Sequence, residues 1–216
     1  MDNLLFNVYS LVSIIPTIVG IFYLKKIDKT IKPLILLNFI GNILMLISIV
    51  LSYSKSTNTH FILYLNISFS IILNALFFYR IIKKHKLLFS LIPSVSILLL
   101  FIDYYKNGLR QMNVLPFICI DIFIICSSIF FLSYNKKPAK YLRYIVLVLL
   151  VYSVYDVLFN FATSYFYNYL GDKAFNLVWN IINPIVGIID YIFLSFAFYF
   201  AVQKARPNFD ELSDFK

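Results

Sequence analysis

The chain has 216 residues, of which 61% are hydrophobic and 13% are charged, and its formal net charge is +9. A soluble domain of this length cannot bury so much apolar surface, so the composition excludes an ordinary globular protein and indicates a membrane protein. The basic residues lie in short connections between apolar runs rather than along one helical face, so we expect no nucleic-acid partner.

Seven apolar segments follow one another, each long enough for the ~20 helical residues that cross ~30 Å of hydrocarbon. We predict them at about 4–24, 33–53, 61–82, 87–105, 114–134, 143–166 and 176–202. The runs are continuous rather than alternating, and open sheet edges do not occur in lipid, so strands are not expected. The sequence predicts an all-α polytopic membrane protein with seven transmembrane helices, a bundle over 1–203 and a short cytoplasmic tail over 204–216.

The Lys and Arg residues are unequally divided between the two sides of this bundle. Most of the 19 lie in the tail and in the connections after the first, third and fifth segments; the exceptions are Lys55, Lys106, Arg110 and Lys173. Cytoplasmic loops carry the excess of basic residues. We therefore expect the N-terminus outside, the C-terminus in the cytoplasm, and a location in the bacterial inner membrane.

The aromatic residues gather near the predicted ends of the segments, where membrane proteins carry interfacial anchors. On the cytoplasmic side, the predicted anchors of segments three and seven are Phe77, Phe78, Tyr79, Phe198, Tyr199 and Phe200.

No metal or cofactor is expected from the cysteines and histidines. Cys119 and Cys126 lie two helical turns apart, about 10 Å along one axis, which is too far for a disulfide within that helix. His60 and His85 fall in connections on opposite sides of the predicted membrane, so they do not form a ligand set.

Three of the ten acidic residues lie in the interior of predicted spans, namely Asp121, Asp156 and Asp190, and the other seven lie at span ends or in connections. No Lys or Arg is predicted at their depth, so they have no ion-pair partner within the membrane. An ionisable residue there is a functional-site hypothesis by default. The alternative is a hydrogen bond that ties two helices together, worth about 0.6 to 2 kcal/mol.

Polar residues recur at helical spacing in five segments, as expected for faces directed into a bundle. The stripes of segments six and seven are Ser153, Asp156, Asn160 and Thr163, and Asn176, Asn180, Asn183, Gly187 and Asp190. The other stripes are Ser10, Ser13, Thr17 and Gly20; Asn38 and Asn42; and Asn66, Ser70 and Asn74. Together they predict a polar axial cavity.

The candidate site takes its residues from segments five to seven. We expect a ligand or a proton to bind at Asp121, Asp156, Asn160, Asn180, Asn183 and Asp190. Pro184 removes one backbone hydrogen bond from segment seven, so Pro184 and Gly187 are expected to form a hinge.

Three short segments carry resemblances to known families. KKIDKTIKP at 25–33 and FFYRIIKK at 77–84 resemble the matching parts of small seven-span inner-membrane proteins of the Bacteroidetes, which implies a topology and no activity. IKPLILLNFIGN at 31–42 is similar to the second span of lysoplasmalogenase-like membrane hydrolases. A retinal protein would need a lysine near the middle of segment seven, where this chain has Asp190.

These features favour a receptor-like or regulatory membrane protein whose polar site binds a small ligand or a proton. A proton- or cation-coupled transporter or channel is the alternative, and an intramembrane hydrolase that activates water between two carboxylates is the third. An enzyme is the less favoured class. Because the tail is short, we expect signalling through a membrane or cytoplasmic protein partner, with the lipid bilayer as the surrounding partner.

Overall fold

The computed structural model describes residues 2–53, 60–82, 86–107, 115–135, 138–169 and 177–203. These residues form seven α-helices and no strand, which confirms the all-α prediction. The helices are α1 (Asp2–Phe22), α2 (Lys32–Tyr53), α3 (His60–Ile81), α4 (Lys86–Asn107), α5 (Leu115–Tyr134), α6 (Lys140–Tyr169) and α7 (Asn183–Gln203), the last preceded by a π-helical turn (Val178–Ile182).

Six helices are long and apolar enough to cross a membrane, namely α1, α2, α3, α5, α6 and α7 with its π turn. This pattern agrees with a multi-pass membrane protein. The remaining helix, α4, has 22 residues, the same length as α2 and α3. The tail after 203 lies outside the described residues.

The helices form a closed ring, in which each one contacts the next along the chain and α7 returns to contact α1. Helix α3 also contacts α5 across the ring. Short connections favour such antiparallel neighbours in helical bundles. This arrangement brings α5, α6, α7 and α1 into one continuous wall.

Several aromatic residues predicted as interfacial anchors belong instead to the core. Phe77, Phe78 and Phe198 are fully buried, whereas Tyr79 and Tyr199 are exposed. The rings of Phe77 and Phe78 pack edge to face with centroids 5.1 Å apart, a favourable aromatic geometry. The prediction was therefore wrong for the three phenylalanines, because adjacent aromatic residues on a helix point in different directions.

The α1–α2 connection is tied to two other helices. Asp28 accepts hydrogen bonds from the Thr30 N–H at 2.9 Å and from the Tyr141 hydroxyl at 2.8 Å. Arg80, at the end of α3, donates to the main-chain carbonyl of Lys29. These bonds hold the end of α3 and the start of α6 against one loop.

Candidate functional site

Two of the predicted acids form a pair between neighbouring helices. The carboxyl of Asp121 on α5 is hydrogen-bonded to the carboxyl of Asp156 on α6 and also accepts a bond from the Ser153 hydroxyl. Asp121 is only 5% exposed, and its Oδ2 atom has no hydrogen-bond partner among the described residues. An ionised carboxylate only accepts hydrogen bonds, so a bond between two carboxyls contains one proton.

Asn160 extends this pair along α6. Its amide nitrogen donates to the main-chain carbonyl of Asp156 at 2.9 Å, and its side chain also bonds the Asp156 carboxyl. Residues four apart on a helix are neighbours on its surface, which explains the contact. Asn160 therefore positions Asp156, as expected for a residue of the same polar stripe.

The third acid, Asp190, lies near the pair within a group of tyrosines. Tyr152 on α6 interacts electrostatically with both Asp156 and Asp190, and Tyr9 on α1 does the same. Asp190 itself is half-buried and makes no side-chain hydrogen bond among the described residues. Asp121 and Asp156 therefore form a pair, and Asp190 joins the same polar cluster only through its shared neighbours Tyr9 and Tyr152.

Tyr9 and Tyr191 complete the cluster across the α1–α7 contact. Their hydroxyl oxygens are 3.4 Å apart, and their ring centroids are 5.6 Å apart. Gly187 makes this approach possible, because a Cβ atom at that position would lie 2.5 Å from Cε2 of Tyr9. The role of Gly187 in the structure is therefore close packing against a tyrosine of the cluster.

The predicted straight stripe of the last helix is interrupted. Val178–Ile182 is a π-helical turn, in which the Asn183 N–H bonds to the Val178 carbonyl. A π turn contains one more residue than an α turn, so Asn180 does not share a simple α-helical face with Asp190. Pro184 follows directly, and because the helical residues run without a break from Leu177 into α7, its missing N–H removes one hydrogen bond within a continuous helix. Asn176 lies outside the described residues.

The π turn packs against α6 rather than standing alone. The rings of Trp179 and Phe159 contact each other with centroids 5.5 Å apart. Asn180 and Asn183 are half-buried. The turn and Pro184 together place the predicted hinge next to the helix that carries Asp156.

The polar stripes of α1 and α2 serve a different purpose from the carboxyl cluster. Asn42 donates to the hydroxyl of Thr17 at 2.7 Å and to the carbonyl of Ser13 at 3.1 Å, and it accepts from the Ser13 hydroxyl at 2.9 Å. These groups satisfy one another and join the two helices. On α3, Asn66 is exposed, so the expectation that this stripe faces the interior was wrong at that residue.

The sequence reading missed the three tyrosines Tyr9, Tyr152 and Tyr191. Two of them carry a signal, because Tyr152 lies one helical turn before Asp156 and Tyr191 follows Asp190. Residues four apart share a helix face, so Tyr152 could have been included with Asp156. Tyr9 could not, because its place depends on which helix closes the ring.

No metal site is found in the part of the chain that the structure describes, where no three His, Cys, Asp or Glu side chains cluster as ligands. Cys119 is half-buried, Cys126 is exposed, and both are free thiols. No protein-family model matches this chain, and no curated protein or solved structure is significantly similar to it.

Proposed function

We propose that this chain is a receptor-like or regulatory protein of the bacterial inner membrane whose intramembrane site binds a proton. The hydrogen bond between the carboxyls of Asp121 and Asp156 carries this proposal. When the shared proton leaves, two negative charges face each other in apolar surroundings, where like charges repel strongly. This repulsion separates α5 from α6, and the altered packing is the signal that a membrane or cytoplasmic partner reads.

The proposal includes seven spans, with α4 as the seventh, the N-terminus outside and the tail in the cytoplasm. Its support is the excess of Lys and Arg in alternate connections, together with the contacts of Asp28 and Lys29 with Tyr141 and Arg80. These contacts join three connections that the charge pattern assigns to the same side. Labelling of a cysteine placed at Lys29 or at Lys55 from outside intact cells tests the orientation, and only Lys55→Cys is expected to react.

A distance measurement tests the coupling between the proton and helix packing. Spin labels on Cys126 and on Leu158→Cys report the α5–α6 separation from exposed positions, with Cys119→Ser as the background. We expect the distance to increase from acid to alkaline buffer. Asp121→Asn should abolish the change, because an amide bonds the remaining carboxylate at every pH. An unchanged distance in the unsubstituted site would reject the proposal.

Proton-coupled transport is the second candidate, and the position of Asp190 favours it. The groups from Asp121 through Asp156 and Tyr152 to Asp190 form a series of titratable side chains, as proton relays do. Liposomes with a trapped pH-sensitive dye separate the two functions. A proton flux in the unsubstituted protein that is lost in both Asp156→Asn and Asp190→Asn supports transport. If neither the unsubstituted protein nor the variants show a flux, the regulatory function is favoured.

A further inference from the structure

A cavity of about 330 Å³ lies between α3 and α4, and none of its lining residues belongs to the carboxyl cluster. Four aromatic side chains line it: Phe61, Tyr64, Phe101 and Tyr104. Its volume is at the lower end of the range of about 300–1,000 Å³ that is usual for small-molecule sites. We propose that this cavity binds one acyl chain of a membrane phospholipid.

The wall of the cavity is held in place by the protein itself. The Tyr64 hydroxyl donates to Oδ2 of Asp103 at 2.6 Å, and the Tyr64 and Tyr104 rings meet edge to face with centroids 6.0 Å apart. Asp103 is buried on α4, so its bond to Tyr64 ties the two helices beside the cavity. A fixed wall lowers the entropy lost on binding, which favours a defined ligand site.

Two of the three polar side chains of the lining, Tyr64 and Ser68, are hydrogen-bonded inside the protein, and the third, Tyr104, is exposed. The Ser68 hydroxyl donates to the Tyr64 carbonyl at 2.8 Å, and the Tyr64 hydroxyl donates to Asp103. The remaining lining on α3 and α4 includes Leu65, Ile97 and Leu100. A polar solute would gain few hydrogen bonds from these walls and would lose its hydration, so the chemistry fits an apolar chain.

The exposure of the lining residues shows where the ligand enters. Leu100 is buried, whereas Phe101 is 67% exposed and Phe61, Leu65 and Tyr104 are also exposed on the outside of the ring. Because α3 has the length and composition of a membrane span, Phe61 and Leu65 face lipid, and the α4 side of the cavity does so in the proposed seven-span arrangement. The cavity thus opens sideways into the bilayer, where acyl chains are the abundant apolar molecules.

Two substitutions on α3 form a matched test. Leu65 lines the cavity and is 43% exposed, and Leu63 does not line it and is 41% exposed. In Leu65→Trp the indole fills the cavity, whereas in Leu63→Trp the same side chain lies elsewhere on the helix. Each full-length protein is purified with exhaustive detergent exchange, and native mass spectrometry then counts the phospholipids that stay bound.

We expect one phospholipid per chain in the unsubstituted protein and in Leu63→Trp, and none in Leu65→Trp. Phe101→Ala removes one wall from an exposed position on α4 and should also lose the phospholipid, which covers the case that Leu65→Trp does not fold. Equal retention in all versions would overturn the proposal. So would a protein that retains no phospholipid, or one whose retained molecule has no acyl chain.

Discussion

The carboxyl groups of Asp121 on α5 and Asp156 on α6 are hydrogen-bonded to each other across the contact between the two helices. Two ionised carboxylates within a membrane repel each other unless a proton or a cation lies between them. The pair links two helices, and in the proposed function it also responds to proton concentration.

Substitution of Asp156 measures how much its hydrogen bond to Asp121 contributes to the stability of the α5–α6 contact. Asp156→Ala leaves Asp121 without its partner and should weaken the α5–α6 contact by about 0.6–2 kcal/mol, the range for hydrogen bonds within membranes. Asp156→Asn retains a donor and should cost less. Reversible unfolding of the full chain in bicelles measures both. The matched control is Leu158→Ala, at an exposed position of α6, where only a lipid contact changes. Equal losses for Asp156→Ala and Asp156→Asn would contradict the role of the bond.

The contact between Gly187 on α7 and Tyr9 on α1 predicts that a larger side chain at Gly187 disturbs the acids near Tyr9. Gly187→Ala forces the Tyr9 ring to move, because the new Cβ atom would lie 2.5 Å from it. Overpacking of this kind costs about 1–3 kcal/mol. Since Tyr9 is a neighbour of Asp156 and Asp190, movement of its ring changes the surroundings of both acids, so the midpoint of the pH-dependent α5–α6 distance should also shift.

Gly20→Ala is the control for this prediction, because its Cβ atom would lie equally close to Ile35 at the α1–α2 contact. It should reduce stability without a change in the midpoint. A midpoint that moves in both variants, or in neither, would show that Tyr9 has no influence on the acids.

Asn42 and Asn66 should respond in opposite ways to the same substitution. Asn42→Leu removes three hydrogen bonds to Ser13 and Thr17 and should cost about 1–2 kcal/mol. Asn66→Leu replaces an exposed amide with an apolar side chain and should be neutral or stabilising in lipid. Bicelle unfolding measures both. Similar costs at the two positions would mean that Asn66 is not on the outside of the bundle.

The loop bond to Asp28 should weaken in acid. Partial burial of Asp28 opposes the shift, but the hydrogen bonds from the Thr30 N–H and the Tyr141 hydroxyl lower the pKa of its carboxyl below the usual value. A carboxyl with a lowered folded pKa stabilises the fold above its unfolded pKa and loses this contribution as pH falls through the folded pKa. Because Asp28 is exposed, solvent screening keeps the effect small.

Hydrogen exchange of the main-chain amides near Asp28 measures this effect, after correction for the intrinsic pH dependence of exchange. Protection should fall in acid in the unsubstituted chain and change little with pH in Asp28→Asn. Tyr141→Phe should reduce protection at neutral pH, since the ring remains and only the hydroxyl is lost. The same acid response in Asp28→Asn would assign the titration to another group.

The sequence predicted the helices well because the length of an apolar segment is a local property. Segment two, predicted at 33–53, corresponds to Lys32–Tyr53, and segment five, predicted at 114–134, corresponds to Leu115–Tyr134. The rotation of each helix about its own axis, which decides which residues face the core, depends on the neighbouring helices. Phe77 and Phe198 lie in the same aromatic runs as Tyr79 and Tyr199, but the phenylalanines are buried and the tyrosines are exposed. The composition of these runs does not show which residues face the core.

The sequence singled out the three intramembrane acids but not which two of them lie side by side. Asp156 and Asp190 lie level on consecutive segments, whereas the observed partner of Asp156 is Asp121 on the preceding helix. The spacing of residues along each helix does not distinguish a pair of Asp156 with Asp190 from a pair of Asp156 with Asp121. Only the packing of α5 against α6 decides between them. The π turn at Val178–Ile182 could not be predicted either, because the stripe was counted with a constant α-helical period.

The proton proposed to lie between Asp121 and Asp156 can be tested directly by infrared spectroscopy of the full chain in liposomes at neutral pH. A protonated carboxyl has a C=O stretching band that a carboxylate lacks, so we expect this band in the unsubstituted protein. Asp190→Asn serves as the background, because Asp190 is a further intramembrane acid that can carry a proton. In that background Asp121→Asn and Asp156→Asn should each lose the band, because the remaining carboxylate then accepts a bond from an amide. A band that persists with equal intensity in both variants, or that is absent from the unsubstituted protein, would contradict the shared proton.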